Sequence, residues 1–346
     1  MSDSRIRDRI QGPWSSLTPC TTPSRTADAV HGGVLGRITF AGMTGDPSLI
    51  DGAPHLITHM ANASVHPAEE IWRTSLPVQA GVAGHAVYAE DGEHLFYAVR
   101  LGPQDAYREP VRDLYETALK FAWDHGYPEL IRMWNLIGDI TGANADGLEI
   151  YRDFCTGRAE AFTTWQEQFP HLPAATGIGT LSPGVDLCFL AAKPGRAVHV
   201  ENPRQTPAYK YSSRYGKKSP SFARATFLRD LHTPGKSSGS LFVSGTASIL
   251  GDDTVHIDDA ARQTEETLRN IEALVSSDNL RRHEVDGAGF DVKDLDQIKV
   301  YVRDAEHLPV VQDICASAFP ADTDIAYFNV GVCRPDLLVE IEGVCR

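Results

Sequence analysis

The sequence predicts an α+β fold, with sheet and helix layers arranged as a sandwich in two domains. Three observations carry this. The second half alternates strand and helix periodicities in the order β-α-β-α-β-β, which gives a sheet with helices packed on one face. The first half also runs from strand to helix to strand to helix. Between them lies a tract rich in turn-forming residues, LPAATGIGTLSPGV at 172–185, which reads as a boundary. We therefore expect an extended N-terminal arm over 1–30, an N-terminal α/β domain over 31–175 and a C-terminal domain over 176–346.

In order, the arm is polar and carries Pro13, Pro19 and Pro23. Residues 34–41 (VLGRITFA) and 95–101 (LFYAVRL) read as strands. Over 111–124, Val111, Leu114, Tyr115, Ala118, Leu119 and Ala122 recur at helical spacing. Residues 128–137 leave that helix as a strand, and 147–168 form the next helix. Ile150, Phe154, Ala161 and Trp165 lie along one side of it, while Tyr151 and Arg158 share another.

In the second half, 240–247 (SLFVSGTA) is a strand. Asp258 or Asp259 can cap a helix running through 275, whose Thr264, Thr267, Leu268, Ile271, Leu274 and Val275 follow the helical rule. Residues 297–303 alternate as a strand, and 305–318 form a helix with Leu308, Val311, Ile314 and Cys315 inward. Strands at 325–332 and 337–343 close the half.

Composition excludes several functions. The formal net charge of −14 over 346 residues argues against a nucleic-acid binder, which needs a broad cationic face, and against an anionic membrane surface. No apolar run approaches the ~18 residues of a membrane span. The start, MSDSRIRDRIQGPW, lacks the apolar core of a signal peptide. The six cysteines are scattered at 20, 155, 188, 315, 333 and 345 without a CxxC pair, so reduced thiols and a cytoplasmic location are expected. The sequon at Asn62 then has no meaning.

Against that acidic background, residues 202–229 hold Arg204, Lys210, Arg214, Lys217, Lys218, Arg224 and Arg229 and no Asp or Glu. Tyr209, Tyr211 and Tyr215 are interleaved with them. Guanidinium pairs bidentately with carboxylate, and tyrosine adds a flat wall and a hydroxyl, so the stretch suits a small planar carboxylic acid. A solvated basic loop is the alternative.

Glu340 and Glu342 lie two apart in the last strand, so both point to one face while Val339 and Ile341 point to the other. His55 and His59 are spaced like a helical metal pair, but the segment reads equally as a strand and no third ligand is near, so no metal is expected. Gly177 and Gly179 give GxG without completing a dinucleotide fingerprint, and no cofactor is expected. Cys333, next to Arg334, is either a thiol activated by that cation or a small buried hydrophobe.

SGTAS at 244–248, the helix with Gln263 and Asn270–Ile271–Glu272, VYV at 300–302 and VEIEG at 339–343 resemble the RidA (YjgF) family, short enamine/imine deaminases with a chorismate-mutase-like fold. The arginine with which that family binds a carboxylate would fall at Tyr327, which speaks against deamination. A longer resemblance covers roughly 30–346. The stretch NPRQTPAYKY…YG…SPSFARA at 202–225, WN at 134–135, YRDFCTGRAEAF at 151–162 and CRPDLLVEIEG at 333–343 resemble the chorismatases, which append an N-terminal region to a RidA-like half.

This resemblance implies a lyase that releases pyruvate from chorismate, without metal or organic cofactor, with Glu340 as the general acid. It makes Arg204 and Arg224 carboxylate clamps, Arg158 beside Tyr151 a third, and Tyr215 and Tyr211 the ring wall. Gly245 and Cys333 are the pair that marks 3-hydroxybenzoate formation, with some 4-hydroxybenzoate in certain relatives. The branch that hydrolyses chorismate to a dihydroxylated cyclohexadiene carries Ala at both positions. The expected reason is room: without a β-carbon at 245 the ring can settle so that its own hydroxyl attacks. Two comparable halves in one chain predict a monomer. A deaminase of enamine or imine substrates and a non-catalytic binder of aromatic acids are the alternatives.

Overall fold

The computed structural model describes residues 14–19, 33–62, 68–230 and 238–346. The N-terminal half contains β1 (Trp14–Pro19), β2 (Gly33–Ala41), β3 (Gly45–Ile50), β4 (Ala53–His59), β5 (Ala61–Asn62), β6 (Ala68–Thr74), β7 (Gln79–Ala83), β8 (Ala86–Glu90) and β9 (His94–Leu101). It continues through α1 (Arg108–Asp124), β10 (Glu129–Gly138), α2 (Ile150–Thr164), β11 (Ala174–Thr180) and β12 (Val185–Ala192). The C-terminal half contains β13 (Ala197–Val200), β14 (Ala225–Arg229), β15 (Gly239–Ala247), the small ribbon β16 (Ile249–Leu250) and β17 (Asp253–Thr254), α3 (Ala260–Val275) and α4 (Ser277–Arg282). It ends with β18 (Leu295–Val302), α5 (Leu308–Ala318), β19 (Ile325–Asn329) and β20 (Val339–Cys345).

The class is α+β, as expected. Three main sheets form: β1-β6-β2-β4-β3, β11-β10-β12-β9-β8-β7 and β13-β14-β15-β20-β18-β19-β5. Helices α1 and α2 cover one face of the six-stranded sheet, where Val111, Tyr115, Leu119 and Phe154 meet Leu130, Met133 and Phe189. Helices α3 and α5 cover the seven-stranded sheet through Ile271, Leu274, Val311 and Cys315. Asp259 caps α3, its carboxylate accepting from the Arg262 amide at 3.0 Å.

The uncovered faces of all three sheets turn toward one another. Trp72 and Phe40 from the five-stranded sheet, Trp134 and Phe96 from the six-stranded sheet, and Phe242 and Tyr301 from the seven-stranded sheet fill one central core.

One expectation, the boundary tract, is corrected. The tract 172–185 is not a turn region: Ala174–Thr180 is β11, parallel to β10, and Val185–Ala192 is β12, buried throughout between β10 and β9. The six-stranded sheet thus runs past the boundary expected at 175/176, and the chain crosses to the seven-stranded sheet between 192 and 197. Within the expected arm, β1 pairs with β6 and joins a sheet. The segment around His55 and His59 is strand β4, so the two histidines are not one helical turn apart; His55 Nε2 instead meets the Thr39 hydroxyl at 2.7 Å.

Candidate active site

A cavity of about 330 Å³ opens where the six- and seven-stranded sheets meet. Several segments line it. Strand β20 supplies Glu340, β15 supplies Gly245 and Ala247, the start of α2 supplies Tyr151 and Arg152, and the basic stretch folds over the mouth with Tyr211, Arg214, Tyr215 and Arg224. Cys333, Arg334 and Pro335 close it from the loop before β20. The edge of β11 is stitched to this place by side chains: the Ala174 amide donates to Thr226 Oγ1 at 2.9 Å, Ala175 to Ser244 Oγ at 3.0 Å, and Gly245 to Thr176 Oγ1 at 3.0 Å.

Glu340 is 4% exposed. The β15–β20 register breaks between Val243 and Thr246, and this irregularity aims Gly245 at Glu340. A Cβ on residue 245 would overlap Glu340 Oε1, lie 2.8 Å from its Cδ and 3.1 Å from Thr176 Oγ1. The space at Gly245 is taken in this structure by the carboxyl of Glu340, the far end of a flexible side chain. Burial, followed by repulsion from Glu342, pushes the Glu340 carboxyl up to about 8 against the pull of Arg132 and Arg224.

Glu342 has the opposite character. Burial alone would raise it, but Lys299 and Arg132 overcome that and hold it at about 2. Lys299 lies directly across on β18 and places Nζ 2.7 Å from Glu342 Oε1. Arg132 on β10 donates to Glu342 Oε2 at 2.6 Å, Trp134 Nε1 donates to Oε1 at 2.9 Å, and the Thr176 hydroxyl donates to Oε2. Lys299 also donates to Glu70 on β6 at 2.6 Å. Residues of all three sheets thus converge on one buried cluster.

Of the expected clamps, only Arg224 lines the cavity. It is 2% exposed, donates to the Tyr211 hydroxyl at 2.5 Å and to the Thr206 carbonyl at 2.9 Å, and has no partner for Nε among the described residues. Arg204 is corrected: its guanidinium is taken by α3, through Glu266 at 2.6 Å and Asn270 at 2.9 Å. Arg158 is corrected as well: it is buried beneath α2 between the rings of Tyr115 and Phe162, at 5.5 and 5.3 Å. The sequence reading did not place Arg334 among the candidate clamps, yet it lines the cavity. It stacks 3.7 Å above the Tyr215 ring and 4.9 Å from the Tyr211 ring, is 8% exposed, and Nη2 has no partner among the described residues. Its place in CRPDLL, one step from Cys333, was the available signal.

Tyr211 and Tyr215 both line the cavity, their rings 5.7 Å apart. Tyr151 lines the cavity with its ring against Gly177, where a Cβ would approach to 3.1 Å. Burial raises Tyr151 well above the ordinary phenol range. Burial, then the neighbouring Glu340, also push the Cys333 thiol far up, so it is a neutral group here; Arg334 opposes this only in part. Tyr327 faces away from the cavity and packs with the core beneath α3 and α5.

The geometry is that of a carboxyl with raised proton affinity at the base of a cationic, aromatic pocket. A family model described as the N-terminal region of FkbO/Hyg5-like chorismatases matches residues 70–191. The chain is 45% identical over 321 residues to a 3-hydroxybenzoate synthase of Streptomyces hygroscopicus, covering 93% of this chain and 94% of that one. It is 39% identical over 335 residues to a chorismatase of the same organism, covering 97% and 95%. The crystal structure of a chorismatase, 36% identical, superposes with a TM-score of 0.90 over 97% of this chain and 99% of that one. Full-length identity, a shared fold and the matched N-terminal region together make this chain a member of the chorismatase family.

Proposed function

We propose that this protein converts chorismate to 3-hydroxybenzoate and pyruvate, with Glu340 as general acid. The observation that carries the reading is a buried carboxyl with raised proton affinity at the base of a cavity lined by Arg152, Arg214, Arg224 and Arg334. Chorismate presents two carboxylates on a flat diene, and bidentate guanidinium contacts suit both. Arg224 and Arg334, each with an unsatisfied nitrogen, are the clamps, and Tyr211 and Tyr215 flank the ring.

Glu340 gives its proton to the enolpyruvyl methylene carbon: the O–H bond breaks, a C–H bond forms and the ether carbon becomes an oxocarbenium centre. The ring hydroxyl attacks that centre and releases its proton. Collapse breaks the ring C–O bond of the attacking hydroxyl, whose oxygen leaves as the pyruvate carbonyl, and the bond from the former ether carbon to the ether oxygen, which stays on the ring; loss of the C–H proton from the ring carbon that bears it makes the ring aromatic. Two protons enter, at the methylene carbon and the phenolic oxygen, and two leave, from the hydroxyl and the ring carbon. No water is consumed. An internal nucleophile held in place outruns water through its high effective concentration. Cys333, as a neutral thiol, shapes the wall beside the acid and does not act as a base.

The described cysteines, Cys155, Cys188, Cys315, Cys333 and Cys345, are free thiols, which suits the cytoplasm. Among the described residues no helix is long and apolar enough to cross a membrane. The central core buries the open faces of three sheets within one chain, which favours a monomer.

The test is incubation of the purified protein with chorismate, with products separated by chromatography. Equimolar pyruvate and 3-hydroxybenzoate are expected. Ammonia from enamine substrates with no turnover of chorismate, or saturable binding with no product, would replace this reading.

A further inference from the structure

Glu340 and Glu342 point to the same side of β20, yet only Glu340 reaches the cavity. Glu342 is 2% exposed and is fixed by four donors: Lys299, Arg132, Trp134 and Thr176. So thorough a solvation shell holds a full negative charge in place. Lys299 is held in turn by Glu70, at 2.6 Å, and sits over the faces of Trp134 and Phe40 at 4.9 and 5.4 Å. Burial raises Glu70 against the pull of Lys299, whereas Lys299 and Arg132 overcome burial at Glu342.

We propose that Glu342 is a positioning residue: its fixed negative charge keeps the neighbouring Glu340 carboxyl protonated until substrate accepts the proton. This rests on the reading of Glu340 as the acid. Two carboxylates this close in a dry site cannot both ionise cheaply, and four donors decide which one does. The other groups facing Glu340 are Arg132 and Arg224, which favour its ionisation, and Tyr151, Tyr301 and Cys333, which burial keeps neutral. Once the oxocarbenium centre forms, its positive charge attracts both the new Glu340 carboxylate and Glu342, which offsets the repulsion between them. The charge of Glu342 thus disfavours the resting carboxylate more than the one formed in the reaction.

The test compares kcat/KM against pH for wild type, Glu342→Gln and Glu342→Asp, each full chain, with folding checked by thermal melting. Infrared difference titration against Glu340→Gln reads the protonated carboxyl of Glu340 directly, without turnover. In wild type both methods should place the loss of the proton near pH 8. Glu342→Gln should move that midpoint down by one unit or more, so that activity at pH 7 falls about twofold for one unit and about tenfold for two. Glu342→Asp, which keeps the charge, should hold the wild-type midpoint even where kcat drops. An unmoved midpoint in Glu342→Gln, with activity lowered evenly across pH, would make the residue a structural one and overturn the proposal. Should Glu342→Gln not fold, a wild-type infrared midpoint below about pH 6 overturns it and one near pH 8 that Glu342→Asp preserves supports it. If wild type releases no pyruvate while the infrared midpoint behaves as stated, the functional reading has failed and the electrostatic one has not.

Discussion

The carboxyl of Glu340 occupies the volume that a β-carbon on residue 245 would need. Glycine at 245 is thus a condition for the position of the acid, set by the irregular register between β15 and β20.

Gly245→Ala should therefore act on the acid before it acts on the ring. Displacing a general acid from its line of attack costs on the order of tenfold or more in kcat. Pairing it with Cys333→Ala gives the carboxyl room toward the loop before β20, and product should shift toward the dihydroxylated cyclohexadiene while pyruvate release continues. Chromatography of both variants checks this. An unchanged product ratio in the double variant, or solvent oxygen on the ring when wild type turns over in labelled water, would contradict it.

Glu340→Gln should lower kcat by about 10² to 10⁴ while leaving binding of an aromatic dicarboxylate largely intact. Calorimetry and pyruvate assay on the same preparation separate the two. Retention of more than about a tenth of wild-type kcat removes Glu340 as the acid.

The same substitution should stabilise the protein at alkaline pH. A carboxyl at 4.5 in the unfolded chain and about 8 when folded contributes its full stability below 4.5 and loses it as pH rises toward 8. At about 1.4 kcal/mol per unit, a few kcal/mol are at stake, less any relaxation of the site. Melting curves should show Glu340→Gln above wild type at pH 8 to 9 and close to it near pH 4.5. Equal offsets at both pH values would mean that Glu340 is ionised in the folded protein.

Arg224→Ala and Arg334→Ala should each cost roughly 2–5 kcal/mol in kcat/KM, the range for a desolvated charge pair. Arg204→Ala should instead lower the melting temperature, through Glu266 and Asn270, with a smaller effect on kcat/KM. Lys217→Ala and Lys218→Ala, both exposed, should do little. Steady-state kinetics on the five variants sort them, and equal small effects at Arg224 and Arg334 would remove both clamps.

The contrast between Arg204 and Arg334 shows what was legible. A stretch without acids looked unneutralised, but Glu266 from α3 and Asp252 and Asp253 from the β16–β17 ribbon reach Arg204 and Arg214 from elsewhere in the chain. Composition within a window cannot reveal that. Helices α1, α3 and α5 were readable because one apolar face repeats at helical spacing. Strand β11 was not, because TGIGT resembles a turn. Its glycines serve close approach instead: Gly177 admits the Tyr151 ring, and a Cβ at Gly179 would fall 2.6 Å from the Gly331 carbonyl oxygen. Glu340 was legible through alternation and resemblance, whereas the partners of Glu342 come from β10, β11 and β18, and no local pattern joins them.

Strand β20 slots between β15 and β18, and neither neighbour adjoins it in the chain. Such pairing closes long loops and forms slowly compared with helices. During refolding, α1 and α3 can reach native ellipticity while the proton donor is still undocked. Catalytic competence should therefore return in a later kinetic phase than helical signal, and a stalled intermediate would carry most of its secondary structure and no activity.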